Sequence, residues 1–340
     1  MMRFVWVMCL GCLLVPNAGF SAEREDEWLR TEDALQKAGE GTPIRPEQVG
    51  VNLGMSLAEL ASDRRLLDES LDQIADVGAR WVRATLALDE SLDSSKHRLD
   101  VTAVVDRFRD SGISILLALD APDTRTRFVS TAVGLLKGRV THYEILNDPA
   151  SLDSPSPAYA RFLLAASRAA RSADSTCVLL AAPVDRVTAQ DLKKFEAFLK
   201  ELGKARPFDI LALHVDRAAT GPGDPNREGL TLAEEIDRVR TLLTRKGFSD
   251  VPIWLTRVGW PARAAEDSDT PAASTCSEED QARFLTETFA LPRTIPELQK
   301  VFWSDLRDPT PAGGVRSGYG LFTSAGLPRA SYHACKKLTW

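Results

Sequence analysis

The chain alternates between short apolar runs and longer segments in which apolar residues recur every three or four positions. The short runs are rich in β-branched and aromatic residues and are bounded by Gly, Pro or polar residues, which predicts buried strands. The longer spacing is typical of amphipathic helices. The predicted strands cover residues 49–53, 80–86, 113–119, 142–146, 177–181, 208–215, 252–260 and 300–305.

A predicted helix follows each of these strands. The helices cover residues 63–77, 101–110, 127–136, 159–171, 189–202, 231–245, a segment that begins at 277, and 330–338. Strand–helix pairs of this number in about 290 residues predict an α/β fold, a single-domain (β/α)₈ TIM barrel. A doubly wound open sheet is the alternative, but no Gly-rich dinucleotide fingerprint follows the first strand to support it.

The N-terminal residues 1–22 are predicted to be a secretory signal peptide. A positive charge precedes an apolar stretch over 4–15, and 19–22 offers small residues for cleavage. The apolar stretch is shorter than the roughly 20 residues of a membrane span, although an uncleaved anchor stays open. A polar leader is predicted over 23–47 and the barrel over 48–340. We therefore expect an exported protein, periplasmic or extracellular, with no integral membrane span in the mature chain.

Composition argues against several classes of partner and cofactor. The formal net charge is −6 and the pI is about 5.4, with both signs interspersed, so we expect no dedicated binding of nucleic acid. The four histidines are scattered, and beyond residue 22 no His/Cys cluster occurs, so we expect no metal and no cofactor. One disulfide can form among the three cysteines beyond residue 22, and the sequence does not indicate which two of them would pair: Cys177, Cys276 and Cys335.

Candidate chemistry lies at two predicted strand ends. In a (β/α)₈ barrel, functional residues sit at the carboxyl ends of the strands. Asn147 and Asp148 follow the 142–146 strand, and Arg257 lies within the 252–260 strand. These two ends are therefore where a site is expected.

Both ends resemble motifs of clan A glycoside hydrolases, a group of retaining enzymes built on (β/α)₈ barrels. Residues 143–149, Tyr-Glu-Ile-Leu-Asn-Asp-Pro, resemble the Asn-Glu-Pro signature of that clan. Residues 253–260 resemble its seventh strand, where a Thr-Glu-x-Gly-Trp pattern holds the nucleophile. The most similar branch is the β-xylosidase/α-iduronidase-like one.

Further similarities extend the resemblance over residues 49–338. Arg83 lies where the clan keeps an Arg at the end of its second strand. His214 lies on the sixth strand, where the clan has a His-x-Tyr pair and this chain has Asp216 in place of the Tyr. Residues 302–308 resemble the eighth strand with its sugar-platform Trp, here Trp303.

The same resemblance argues against the clan's usual activity. A retaining glycosidase needs two carboxyl groups about 5–5.5 Å apart, one as nucleophile and one as acid/base. The nucleophile position holds Arg257, whose guanidinium stays protonated and has no lone pair for attack. The acid/base position holds Asp148, one methylene shorter than Glu, and a misplacement of about 1 Å can cost on the order of 10²-fold. We expect the ordinary retaining mechanism to be absent.

Three interpretations of Arg257 stay open. In the first, it pairs with Asp148 and fills an active site that has lost its activity. In the second, its guanidinium binds a uronate, sulfate or carboxylate of a glycan through two parallel hydrogen bonds. In the third, the enzyme is active and uses other acids, with candidates at the ends of strands: Asp120, Asp185, Asp216 and Asp308.

The candidate ligand contacts at the predicted cleft are Arg83, Asn147, His214, Trp260, Trp303 and Asp308. The structural alternatives are packing for the two tryptophans, a partner of Asn147 or Asp148 for Arg83, a cap of the loop before Pro149 for Asn147, and a satisfied polar contact for His214. The leading hypothesis is a catalytically inactive or impaired barrel that binds a carbohydrate. In its more specific form, this carbohydrate is an acidic sugar. The alternatives are an active glycosidase with relocated acids, and an envelope scaffold that docks a partner.

Overall fold

Eight parallel strands close into a barrel in the computed structural model, in sequence order, with the last strand paired to the first. The strands are β1 (Val49–Ser56), β2 (Trp81–Ala87), β3 (Ser114–Asp120), β4 (His142–Ile145), β5 (Val178–Val184), β6 (Ile210–Val215), β7 (Ile253–Val258) and β8 (Leu298–Trp303). The (β/α)₈ barrel predicted from the sequence is confirmed.

The structure describes residues 44–87, 95–120, 126–146, 156–184, 187–215, 217, 219–262, 275–309 and 318–339. These residues belong to one compact unit, Thr42–Trp340. Within those ranges, no helix is long and apolar enough to cross a membrane. The predicted signal peptide and most of the predicted leader lie outside the described residues.

Nine α-helices of the described chain surround the barrel: α1 (Leu57–Ser62), α2 (Arg64–Asp76), α3 (Ser95–Asp110), α4 (Thr126–Leu135), α5 (Pro157–Ala173), α6 (Ala189–Leu202), α7 (Leu232–Arg245), α8 (Glu278–Ala290) and α9 (Ala330–Thr339). Polar N-caps define several starts: Ser277 accepts from the Asp280 N–H at α8, and Thr231 forms a full capping box at α7. α1 is an element that the hydrophobic pattern did not predict.

The additional helix arises from a longer first strand. Gly54 takes a left-handed φ of 73°, which lets β1 continue past the predicted end at residue 53. Ser56 then accepts from the Glu59 N–H, and the Glu59 side chain accepts from the Ser56 N–H. This capping box starts α1 directly at the carboxyl end of the strand.

The barrel interior is filled in layers by side chains from alternate strand positions, as this fold requires. At the amino end, Trp81 of β2 lies edge-on to His142 of β4, with ring centroids 4.9 Å apart. Trp254 of β7 stacks on His142 at 5.2 Å, and the Lys300 Nζ of β8 lies 4.4 Å from the Trp81 ring centroid. We call Trp81, His142, Trp254 and Lys300 the amino-end layer. Bulky aromatic rings therefore close this end of the barrel.

Candidate functional site

A connected polar group lies inside the barrel above the amino-end layer. It consists of Asn52 (β1), Arg83 (β2), Glu144 (β4) and His214 (β6), which we call the barrel network. Arg83 and Glu144 follow Trp81 and His142 by two positions on the same strands, so they point to the same interior.

Arg83 and Glu144 form a bidentate ion pair. The Arg83 Nε donates to Glu144 Oε2 at 3.0 Å, and Nη2 donates to Oε1 at 2.7 Å. The Glu144 side chain is 0% exposed, and that of Arg83 is 4% exposed. This fork geometry is the strongest form of carboxylate recognition, and it binds two strands across the barrel.

His214 and Asn52 make further contacts with this pair. The Nε2 of His214 lies 3.1 Å from Glu144 Oε1, and Arg83 Nη1 donates to Asn52 Oδ1 at 3.2 Å. The Asn52 amide in turn donates to the carbonyl oxygens of Thr256 and Trp303, each at 3.1 Å. The network thereby joins β1, β2, β4, β6, β7 and β8.

The partners of Glu144 decide its ionisation. Burial by itself raises the pKa of this carboxyl, but the Arg83 charge and the hydrogen bond and charge of His214 outweigh it and lower the pKa to about 2. Glu144 is therefore a permanent anion at neutral pH. Since it is fully buried and bonded through both oxygens, it is suited to holding Arg83 and His214 in place, not to proton transfer with a ligand.

Arg257 lies at the carboxyl end of β7, in register with His214 of β6. Its side chain is half-buried, whereas the preceding Thr256 is fully buried. The Thr256 hydroxyl is a buried polar atom with no hydrogen-bond partner in the described part of the chain. The structure thus places a cation next to the network at the position that resembles the nucleophile site.

The carboxyl end of β4 carries backbone strain. Leu146, the residue after the strand, has a φ of 73°, a left-handed conformation that is rare for a branched residue. Its N–H still donates to the Leu119 carbonyl at 3.0 Å, which fixes it to β3. Such strain costs on the order of 1–3 kcal/mol and is concentrated at functional sites. The strained residue directly precedes the two polar positions predicted for the cleft.

Those two positions, Asn147 and Asp148, lie outside the described residues, as do Asp185 and Asp216. Their predicted roles stay predictions. Asp120, the last residue of β3, is half-buried at the same end of the barrel.

Trp260 and Trp303 are fully buried in this conformation. The two indoles lie 5.9 Å apart, and their N–H groups donate to the carbonyls of Thr220 and Tyr319. A ring covered on both faces packs rather than stacks, so sugar stacking would require the covering chain to move. Stacking on a ligand stays a prediction for both.

Asp308 holds the chain after β8 in place. Its Oδ2 lies 2.7 Å from Arg329 Nη2, and its Oδ1 accepts from the Gly320 N–H at 2.8 Å. Arg329 also pairs with Glu278 of α8 at 2.7 Å. Both oxygens of Asp308 are therefore used in structural contacts at the start of α9.

In the described part of the chain, the cysteines are free and the possible metal ligands are not clustered. Cys177, Cys276 and Cys335 are all free and buried, so the disulfide left open by the sequence does not join any two of them. Burial raises the pKa of Cys276 to about 11 and that of Cys335 to about 12, which makes both thiols unreactive. Among the residues that the structure describes, no group of three His, Cys, Asp or Glu could hold a metal ion.

Glu144 and Asn52 are functional candidates that the sequence pattern did not predict. Glu144 is an acid between Tyr143 and Ile145 in a strand predicted to be buried, and a buried carboxylate requires a partner. Arg83 occupies the corresponding place in another predicted strand, between apolar neighbours. Matching these two isolated charges would have predicted the pair, and Asn52 follows only from its position beside Arg83 in the register of β1 and β2.

Comparison with known proteins adds structural relatives. No protein-family model matches the chain, and no curated protein matches its sequence. A solved family 39 glycoside hydrolase from Bacteroides cellulosilyticus WH2 is similar, with a TM-score of 0.64 and 18% identity over 87% of this chain and 64% of that one. A monomeric β-xylosidase from Caulobacter crescentus CB15 gives a TM-score of 0.61 and 15% identity over 88% and 69%.

A third solved structure, a β-glucuronidase from Ruminococcus gnavus in complex with D-glucuronic acid, gives a TM-score of 0.58. It is 14% identical, and the match covers 82% of this chain and 46% of that one. The chain thus spans about two thirds or less of the length of the first and third of these proteins. At such identities the similarity concerns the fold alone: the chain shares its (β/α)₈ barrel with these three glycoside hydrolases.

Proposed function

We propose that this protein binds carbohydrate at the carboxyl end of the barrel without hydrolysing it by the retaining mechanism. The observation that carries the proposal is Arg257, which stands at the end of β7 in register with His214, where the resemblance places a nucleophilic carboxylate. A guanidinium cannot attack an anomeric carbon, and its positive charge repels an oxocarbenium-like transition state.

The polar residues close to Arg257 support a binding role for this end of the barrel. The barrel network beneath it is complete, because the Glu144 oxygens and the Asn52 amide are all bonded. The strained Leu146 lies at the carboxyl end of β4, the same end of the barrel as Arg257. A fold that has lost any use for this end of the barrel would gain stability by relaxing such a residue.

The ligand we propose is an acidic glycan, with Arg257 as its anchor. A guanidinium fork matches a uronate or sulfate through two parallel hydrogen bonds, which adds geometric specificity to charge. The structurally similar β-glucuronidase was solved with D-glucuronic acid, which makes a uronic sugar the natural first ligand to test.

A calorimetric comparison tests this anchor. We would titrate a glucuronic-acid-terminated oligosaccharide and its neutral glucose counterpart into wild type, Arg257→Gln and the control Arg245→Gln. Charge-assisted hydrogen bonds contribute about 1.5–3 kcal/mol, so Arg257→Gln should lower uronic affinity by roughly 10- to 100-fold and leave neutral binding unchanged. Arg245 is exposed at the end of α7, so its variant should keep the wild-type preference. A uronic preference that survives in Arg257→Gln would refute the anchor.

We further propose that the protein is exported to the periplasm or the extracellular space. The support is the pattern of residues 1–22, a charged start, an apolar stretch and small residues. N-terminal sequencing of the protein recovered outside the cytoplasm should begin near residue 23. Recovery of the intact N-terminus in the cytoplasm would contradict export.

A further inference from the structure

Strand β7 contains one extra residue just before the candidate site. From Leu255 to Arg257 it advances by two positions, while its neighbour β6 advances by one, to His214. From Leu255 to Val258 it advances by three positions, while β8 advances by two. Both neighbouring strands therefore place a β-bulge in β7, and the register with β6 identifies Thr256 as the extra residue.

The bulge determines which face of the sheet carries Arg257. Successive side chains of a strand alternate between its two faces, and a shift by one residue exchanges them. Trp254 packs inside the barrel against His142, so in an unbroken strand Arg257 would face the surrounding helices. With the extra residue, Arg257 is in register with His214, whose ring contacts Glu144 inside the barrel. The bulge thus orients the Arg257 side chain towards the interior.

The side chain of Asn52 satisfies the backbone at this bulge. Thr256 is fully buried and has no partner in the register of β6 or β8 as the structure describes them, so its carbonyl oxygen needs another donor. The Asn52 Nδ2 donates to that oxygen and to the Trp303 carbonyl oxygen, each at 3.1 Å. One amide from β1 therefore holds the ends of both β7 and β8.

Arg83 fixes the orientation of the Asn52 amide. Arg83 Nη1 donates to Asn52 Oδ1 at 3.2 Å, and a guanidinium cannot accept a hydrogen bond, so the amide oxygen must face it. The amide nitrogen then faces the two carbonyl oxygens, which can only accept. A chain of contacts thus runs from the buried Arg83–Glu144 pair through Asn52 to the backbone next to Arg257.

We propose that Asn52 is a positioning residue for Arg257 and acts through the backbone of Thr256. The inference rests on the proposed function, because it explains how the residue that binds an acidic glycan is oriented. The bulge has a cost: the Thr256 hydroxyl is buried without a hydrogen-bond partner among the residues described. Bulges that reorient a side chain are frequent beside binding and active sites, where such a cost is retained.

Calorimetry with the uronic and neutral oligosaccharides tests this positioning. Asn52→Leu is similar in size and uncharged, so it removes both donated hydrogen bonds without adding a charge near the ligand. We expect uronic affinity to fall about tenfold and neutral affinity to stay unchanged. In an Arg257→Gln background, Asn52→Leu should change neither affinity, because the interaction that it misdirects is already absent.

Gln299→Leu is the matched control. It also replaces a side-chain amide by an apolar group, but Gln299 is exposed near the amino end of β8, at the opposite end of the barrel. This variant should keep the wild-type preference for the uronic sugar.

Hydrogen exchange measures the same effect without a ligand. In Asn52→Leu, the amides of residues 255–258 should exchange about tenfold faster than in wild type, while the amides of β5 keep their rates. Unchanged exchange at 255–258 would overturn the proposal, because Asn52 would not hold the bulge. Faster exchange with an intact uronic preference, or an equal loss of affinity in the Arg257→Gln background, would also overturn it, because Asn52 would then have a structural role only.

Failure of the proposed function gives a different result. If wild type binds neither oligosaccharide, the glycan anchor is wrong, and a crystal structure of Asn52→Leu decides whether Asn52 orients Arg257. Loss of the extra residue from β7 is expected, and a bulge that keeps Arg257 in register with His214 would contradict the inference. If Asn52→Leu does not fold, Asn52→Ser, which leaves room for a water molecule, replaces it with the same expected direction in each measurement.

Discussion

Ionisable side chains lie at two levels of the barrel interior, and the two levels differ in whether these side chains have a partner of opposite charge. In the barrel network, Arg83 and Glu144 are almost fully buried and bonded to each other. In the amino-end layer, His142 and Lys300 lie among aromatic rings without an acidic partner in the described residues. Only two strand positions separate Arg83 from Trp81 and Glu144 from His142.

The difference shows that partners, more than depth, decide whether a group stays charged. Glu144 is the more deeply buried group, yet Arg83 and His214 lower its pKa to about 2 and keep it ionised. His142 and Lys300 are less buried, yet desolvation lowers their pKa values to about 4 and about 8, towards the neutral forms. The first level holds a fixed pair of charges inside the barrel, and the second holds packed groups whose pKa values shift towards the neutral forms.

Removing the Glu144 charge should produce the largest loss of stability. Glu144→Gln leaves the buried Arg83 without its carboxylate, which should lower the free energy of unfolding by about 3–5 kcal/mol in urea denaturation. The matched control is Asp100→Asn, which removes a carboxylate from an exposed pair with Lys96 and should cost at most about 0.5 kcal/mol. Equal losses in the two variants would show that the buried pair contributes no more to the free energy of unfolding than the exposed pair does.

Acid should selectively weaken the amino-end layer. The pKa of His142 is about 4 in the folded protein and about 6.5 when unfolded, so its stabilising contribution is present above pH 6.5 and lost as the pH falls towards 4. Between pH 7 and pH 4.5 we expect a loss of about 2.5 kcal/mol that His142→Phe does not show.

The urea midpoints of wild type and His142→Phe at the two pH values measure this difference. The exposed His97 provides the control, since His97→Phe should retain the wild-type pH dependence. If His142→Phe and wild type lose the same stability in acid, the layer does not depend on a neutral imidazole.

Packing in the barrel predicts a smaller effect. A Cβ at Gly50 would lie 2.3 Å from the Phe302 ring, which is stacked on Trp254. Gly50→Ala should therefore lower the free energy of unfolding by about 2 kcal/mol. Gly134→Ala is the opposite control, because a Cβ there meets only Ala173 at 3.7 Å and should stabilise α4 by about 0.5–1 kcal/mol. A tolerated Gly50→Ala would mean that the ring has room to move.

The elements of this fold follow from local patterns, and the site does not. Residues 189–202 form the predicted helix because a Thr188 cap and an apolar stripe are both local signals. The Arg83–Glu144 pair joins residues 61 positions apart, and its register is set by the whole barrel. The strain at Leu146 also has no local signal, because a leucine there predicts only a longer strand.

We propose above all that this barrel binds a glycan and leaves it intact. Native mass spectrometry of the protein with neutral, uronic and sulfated oligosaccharides, sampled over a day, tests it most directly. We predict a complex with an acidic oligosaccharide whose mass is unchanged at the end of the day. Cleavage products that disappear in the Asp148→Ala variant would contradict the account, because the acid at that position would then be catalytic despite Arg257.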